Sequence, residues 1–310
     1  MDEATRIARL QPISGRVRVV IDTDTYNEID DQFAIVHALL SPQVMQVEAI
    51  YAAPFYSQYA SKPRSTGPGD GMEKSYDEIL RVMSLLGRSP EGMVHKGSVE
   101  YLPDDETPAP SSAAVDDLIA RARSGDGLLY VIAIGAITNI ASAILKAPDI
   151  IDNIVVVWLG SHAHWWPHTK EFNHYQDIPA VRVVFGCGVP LVHIPCFGVA
   201  SHLLTSPAEM IDQVKGKSAI GDYLCELVET YEYRQQQGWS KVIWDIACVA
   251  WLVDARWLPS QLTHSPIAQD DGTFSYSKDR HLIRQVYWIA RDPVYQDLFG
   301  KLAGLENAAS

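Results

Sequence analysis

The sequence predicts an α/β fold built on a mostly parallel central sheet flanked by helices. Three observations carry this. Strand-like apolar runs alternate with segments of helical periodicity along the chain. Several of those runs, LLYVIAIG (128–135) and NIVVVWLG (153–160) among them, are almost continuously apolar, as strands covered on both faces must be. Acidic or glycine-bearing turns stand where these strands give way to helices, the place where such sheets bind ligands.

Taken in order, residues 1–16 read as a loose lead-in and 17–310 as a single domain, since no repeat or linker divides them. A strand over about 17–24 is followed by a helix from about Asp30 to Leu40, which Ser41-Pro42 stops. VEAIYAAPF (47–55) is a second strand. SQYASKPRSTGPGDG (57–71), rich in Ser, Gly and Pro, is a long loop of the kind that often carries function. In the next helix Tyr76, Ile79, Leu80, Met83 and Leu86 share a face, and Gly87 ends it. YLPDDETPAPSS (101–112) is a loop, with Ser112 opening a helix to about Arg123. The strand 128–135 turns into the helix ITNIASAILK, which ends before Pro148, and the strand 153–160 leads into an aromatic loop, SHAHWWPHTKEFNHYQDIP (161–179). A short helix (180–185), a strand VPLVHIPCF (189–197), a helix-rich stretch (206–256), a late strand HLIRQVYWIA (281–290) and a final helix (292–304) complete the chain.

A net charge of −13 and a pI of about 5.1 argue against nucleic acid as partner, because such proteins need a basic face. The N-terminus has no apolar core of signal-peptide length, and the longest apolar run, VIWDIACVAWLV (242–253), is too short to span a bilayer and contains Asp245. Cys187, Cys196, Cys225 and Cys248 form no CxxC pair and lie in apolar segments, so they read as buried free thiols in a reducing cytoplasm.

The strongest chemical signal is VRVVIDTDTYNEIDD (17–31), where Asp22, Asp24, Glu28, Asp30 and Asp31 crowd a strand-to-helix turn. Packed carboxylates repel and lose hydration when covered, and a hard divalent cation such as Ca²⁺ or Mg²⁺ relieves both problems. Helix capping accounts for one or two of these residues but not for all of them. Asp245 opens a strongly apolar helix; it is either an N-cap or a further ligand of the same ion. Glu171-Phe172-Asn173, with His162, His164, Trp165, Trp166, His168 and His174, suggests a pocket wall of polar and stacking groups. His164 and His168 have HxxxH spacing, but Trp166-Pro167 opposes the helix that a zinc site of that spacing needs. Gly135 in IGAITN (134–139) either lets backbone approach a ligand or makes a tight turn.

The combination of DTD…IDD (22–31), IGAITNIA (134–141), EFN (171–173) and an apolar helix opening with Asp245 resembles the inosine–uridine-preferring nucleoside hydrolase family, in the family's order and over about residues 17–300. The resemblance implies a single Rossmann-like α/β domain with the nucleoside hydrolase fold, holding one Ca²⁺. It implies Asp24, Asp31, Asp245 and the main-chain carbonyl of Ile134 as metal ligands, and Asp24 as the base that activates water. It further implies that Asp30 and Asn173 hold the ribose hydroxyls and that Glu171 reaches toward the 5′ end. The partner would be a small nucleoside, and family members are commonly dimers or tetramers.

The chain also departs from the family pattern. A short Pro-Gly link usually joins the second and third aspartates; here Thr25-Tyr26-Asn27-Glu28 makes it two residues longer, so Asn27 or Glu28 is expected to add a contact. Ala53-Pro54-Phe55 replaces an asparagine after the second strand, and Trp165 or Trp166 occupies the region of a loop asparagine. Trp244 stands where many members have a histidine proposed to protonate the leaving base; Tyr223, Tyr231, Tyr233, Arg234 and Lys241 are candidates for the base end. Two alternatives stand beside this reading. Strand-DTDT (22–25) also matches the opening of haloacid-dehalogenase-type Mg²⁺ phosphatases, with Asp22 as nucleophile, although no later strand ends in the required acidic pair. The other is a non-catalytic ribose or nucleoside binder on the same fold.

Overall fold

The computed structural model describes residues 1–56, 63–231 and 237–308. Its strands are β1 (Val17–Thr23), β2 (Met45–Ala52), β3 (Val94–Lys96), β4 (Leu129–Ala133), β5 (Ile154–Leu159), β6 (Leu191–Ile194), β7 (Leu204–Thr205), β8 (Lys241–Val242), β9 (Ser260–His264), β10 (Ile267–Ala268), β11 (Phe274–Ser275) and β12 (Leu282–Val286). The helices are α1 (Glu3–Arg9), α2 (Asp31–Leu39), α3 (Pro68–Leu85), α4 (Ala113–Ser124), α5 (Thr138–Lys146), α6 (Phe172–Gln176), α7 (Ile178–Gly186), α8 (Pro207–Gln213), α9 (Ala219–Thr230), α10 (Ile246–Val253) and α11 (Arg291–Ala308).

Eight strands form one sheet in the order β3-β2-β1-β4-β5-β6-β12-β9, parallel throughout except for the β12–β9 pair at one edge. Alternate side chains enter opposite layers, as the pleat requires. Val19, Ile21, Ile132 and Val157 pack with Phe33, Ile35, Ile246 and Val249; Val20, Val131 and Val156 pack with Leu118, Ile140 and Val181. The strand order reverses between β1 and β4, so the carboxyl ends of these two strands open a crevice at the topological switch point. The acidic turn after β1 and the IGAITN turn after β4 both lie there.

The lead-in is not loose. Residues 3–9 form α1, capped by Asp2, whose carboxylate accepts from the Thr5 N–H at 2.7 Å. Leu10 is buried behind it and Arg6 donates to the Gly188 carbonyl at 2.8 Å. Its seven residues bury too little apolar surface to leave a clear period in sequence. α3 starts at Pro68, inside the segment read as loop, because proline is well suited to a first helical turn. β3, β9 and α6 are additions: β9 is polar and half-exposed at the sheet edge, and β3 and α6 are only three and five residues long. The strands expected over 47–55, 189–197 and 281–290 shorten to β2, β6 and β12, and Pro54 follows the end of β2. All four cysteines are free thiols, three buried and Cys187 partly so. Among the described residues no helix is long and apolar enough to cross a membrane.

Candidate active site

A cavity of about 360 Å³ opens at the switch point. Asp24, Asn27, Glu28, Asp30 and Asp31 reach it from the turn after β1, Ile134 from the end of β4, and Leu159 and His162 from the end of β5. Glu171, Phe172 and Asn173 enter from the loop and helix α6, Cys196 and Phe197 from beyond β6, and Trp244 and Asp245 from the start of α10.

Asp30 occupies the N-cap position of α2 and Asp245 that of α10, yet neither side chain makes a capping hydrogen bond. Capping therefore does not explain them. Both helix N-termini instead aim their positive dipole ends at the cavity, which favours carboxylates there. One oxygen from each of Asp30, Asp31 and Asp245 lies within 4.8 Å of the others, the one such trio of metal-type side chains found among the described residues. Asp24 lines the same cavity outside that trio, and its Oδ2 is buried without a hydrogen-bond partner. Gly135 permits this crowding: a Cβ there would stand 3.1 Å from the Asp24 nitrogen and 3.1 Å from the Ala53 Cβ.

Burial, reinforced by neighbouring carboxylates, pushes Asp24 and Asp245 well above the usual carboxylate range. Asp31 is pushed up to about 8 by burial and by Asp30. Asp30 rises only to about 6, because Lys241 opposes the effect of burial. The Asp30 carboxylate accepts from the Trp244 N–H at 3.1 Å, and Asp31 accepts from the Thr23 hydroxyl. This is a site of concentrated, incompletely compensated negative charge, and an all-oxygen donor set of this kind fits a hard divalent cation.

Glu171 is held by three backbone N–H groups, those of Ser161 at 2.8 Å, Asn173 at 3.0 Å and His174 at 3.0 Å. Burial outweighs these donors and raises it to about 7. Ser161 adopts a left-handed φ of 61°, unusual for a residue other than glycine, and so aims its N–H at Glu171 while its hydroxyl lies 2.6 Å from His174 Nδ1. The Asn173 amide donates to the carbonyls of Leu159 at 3.1 Å and Ile134 at 3.3 Å, which ties EFN to the end of β4.

On the side of the cavity formed by the turn after β1, the Glu28 carboxylate is bonded by Lys241 and by the Tyr231 hydroxyl at 3.3 Å. Lys241, in the short β7–β8 ribbon, is buried and stands 4.0 Å from Asp30. Arg64 donates to the carbonyls of Glu28 at 2.9 Å and Tyr26 at 3.2 Å. The Phe197 ring meets Trp244 edge-on at 5.4 Å and His162 at 4.8 Å.

Of the residues singled out in the sequence, Asp24, Asn27, Asp30, Asp31, Ile134, Glu171, Asn173, Trp244 and Asp245 share the cavity. Trp165 does not line it: the residue is 69% exposed, its ring tilted against that of Trp166 at 5.5 Å, because the loop turns it outward. Asp22 is buried beneath the site, accepting from the Asn139 amide at 2.8 Å, and does not line the cavity where a nucleophile would have to stand. Tyr223 donates to Glu78 and is also outside the lining, whereas Tyr231 is part of it. Tyr233, Arg234 and part of the 57–71 loop lie outside the described residues. The His162–His168 and His164–His193 rings pack on one another, and burial drives His162 and His164 down to about 4, so they are neutral packing groups at neutral pH. Sequence reasoning missed Arg64, Lys170, Cys196 and Phe197 as lining residues; the position of Cys196 and Phe197 just past an apolar strand was the available signal.

A family model described as inosine-uridine preferring nucleoside hydrolase matches residues 66–285, a span that contains Ile134, Glu171, Asn173 and Asp245 and begins after the acidic turn. The chain is 27% identical over 240 residues to a probable uridine nucleosidase 2 of Arabidopsis thaliana, covering 71% of each chain. It is 25% identical over 268 residues to a pyrimidine-specific ribonucleoside hydrolase, RihA, of Salmonella paratyphi A, covering 76% of this chain and 79% of that one. Among solved structures, a plant nucleoside hydrolase superposes with a TM-score of 0.72 at 20% identity, over 93% of this chain and 99% of that one. A purine-preferring ribonucleoside hydrolase from Gardnerella vaginalis superposes with a TM-score of 0.71 at 22% identity, over 94% and 99%. These two structures share the fold.

Proposed function

The chain belongs to the inosine–uridine preferring nucleoside hydrolase family, and from that premise we propose that it hydrolyses the N-glycosidic bond of a ribonucleoside, giving ribose and a free base, with Ca²⁺ as cofactor. The observation that carries this reading is the convergence of Asp24, Asp30, Asp31, Asp245, Glu171 and Asn173 on one cavity at the switch point. Asp24, Asp31, Asp245 and the Ile134 carbonyl would hold the ion. Their all-oxygen character, and the buried, unpartnered Asp24 Oδ2, fit Ca²⁺. When bound, the ion supplies Lewis acidity that makes water a better nucleophile at neutral pH.

The chain's own groups do the rest. Asp24 takes the proton of the attacking water as its oxygen bonds to C1′. The C1′–N bond breaks, its electron pair leaves with the base, and the departing base takes up a proton from solvent to become the free base. Asp30 and Asn173 hold the ribose hydroxyls, and Glu171 orients the 5′ end. The surrounding carboxylates stabilise the positive charge that develops on the sugar, as in glycoside hydrolysis generally. The same reading has the protein in the cytoplasm, as a homodimer or homotetramer, with no nucleic acid or membrane as partner.

A nucleoside panel followed by released reducing sugar, with and without chelator, tests this reading. Turnover that is lost with chelator and restored by Ca²⁺ is the expected result. Asp245→Ala should weaken Ca²⁺ binding at least about tenfold; unchanged metal affinity and activity in that variant would sink the shared-ion model.

A further inference from the structure

Relatives of this chain are named for pyrimidine and for purine nucleosides alike, so the base has to be read from the chain's own residues. The cavity has two ends. Glu171 and Asn173 are tied to Ser161 and to the ends of β4 and β5, whereas Glu28 lies on the turn after β1, paired with Lys241, which stands 4.0 Å from Asp30. With the ribose across the acidic centre and its 5′ end toward Glu171, the base extends toward Glu28, Tyr231, Arg64 and Trp244.

Glu28 belongs to the lengthened link between Asp24 and Asp30, and three contacts set its position. Lys241, only 6% exposed, forms its ion pair; the Tyr231 hydroxyl donates to Oε1; and Arg64 grips its backbone carbonyl. A buried lysine is costly unless it is paired, and Lys241 bonds Glu28 directly while standing 4.0 Å from Asp30, so it fixes Glu28 beside the acidic centre. The Glu28 side chain nevertheless stays 39% exposed on the cavity wall. A carboxylate offers about four acceptor positions, so two donors leave capacity for a ligand.

We infer that Glu28 is the residue that reads the leaving base, accepting a hydrogen bond from a ring N–H. This deepens the hydrolase reading and rests on it. A carboxylate there would give this chain, through Glu28, the preference for uracil and hypoxanthine, bases with a ring N–H beside a carbonyl, that the family's description carries. Cytosine and adenine carry an amino group in place of that carbonyl and an unprotonated ring nitrogen beside it, so an acceptor fixed opposite the ring N–H position meets another acceptor there. A site built to accept from an N–H rejects the analogue that lacks it, because two acceptors then face each other without a donor. Lys241 and Tyr231 act through Glu28 and are positioning residues.

The test is kcat/KM for uridine, cytidine, inosine and adenosine in Ca²⁺-loaded wild type, Glu28→Gln and Tyr231→Phe. Wild type should favour uridine over cytidine and inosine over adenosine. Glu28→Gln, whose amide can also donate, should lower both ratios by about 10- to 100-fold, and Tyr231→Phe should lower them less, in the same direction. Ratios unmoved in Glu28→Gln, or a wild-type preference for cytidine and adenosine, would overturn the assignment. Wild type inactive on all four nucleosides would instead overturn the hydrolase reading. Calorimetric binding of uridine against cytidine to wild type and Glu28→Gln then decides the Glu28 assignment by itself, on the same ratio.

Discussion

The two ends of the cavity are built differently. At one end Glu171 is fixed by three backbone N–H groups and Asn173 by two backbone carbonyls. At the other, Glu28 is fixed by the side chains of Lys241 and Tyr231. Backbone contacts depend on the fold and survive most substitutions nearby, whereas side-chain contacts can be exchanged one residue at a time. The first kind suits recognition of a sugar common to all substrates, and the second suits discrimination among bases. The difference teaches where a divergent member of this family can change its substrate without rebuilding its sheet.

The largest expected effect lies between the two ends. Asp24→Ala should lower turnover about 10³-fold or more on every nucleoside, measured as released reducing sugar, because the proposed base and a proposed metal ligand would disappear together. A variant retaining a tenth of wild-type activity would remove Asp24 from the chemistry. Glu171→Gln comes next. Its amide cannot accept at both former oxygens, so one of three backbone donors loses its partner, and kcat/KM should fall about 10- to 100-fold by the same factor for all four nucleosides. A base-dependent loss would erase the contrast with Glu28.

The smallest effect is on stability. Burial raises Asp22 from 3.8 to about 7 and Glu171 from 4.5 to about 7. A carboxyl whose folded-state pKa is raised binds its proton more tightly when folded. No penalty applies below the unfolded values, and the penalty grows as pH rises toward about 7. In chelator the melting temperature should therefore fall from pH 5 to pH 8 by about 5 °C or more, and by less in saturating Ca²⁺. A flat profile in chelator would show that these carboxyls are better solvated than their burial suggests.

Much of the fold was legible because its strands are buried on both faces and read as unbroken apolar runs, as in Leu129–Ala133 and Ile154–Leu159. β3, β9 and α1 were not legible, since short or edge elements draw their stability from neighbours rather than from their own pattern. In the site, Asp24, Asp30 and Asp31 stood out because chemistry and chain adjacency coincide. Asn139 did not: its hold on Asp22, the Ser98 N–H and the Ser98 hydroxyl spans long sequence separations. Trp165 looked like a wall residue and faces outward, because a loop's side-chain directions follow no period.

The sequence by itself determined the sheet class, the acidic turn and the family likeness, all properties of local pattern and residue type. Only the tertiary structure decided that Asp245, more than two hundred residues from Asp30, completes a tight trio with Asp30 and Asp31 while Asp24 stands beside it. It alone decided that Lys241 and Tyr231 fix Glu28 on the cavity wall. The physical reason is common to both: electrostatic fields and hydrogen bonds act over a few ångströms of space, and chain folding alone sets which residues fall within that range.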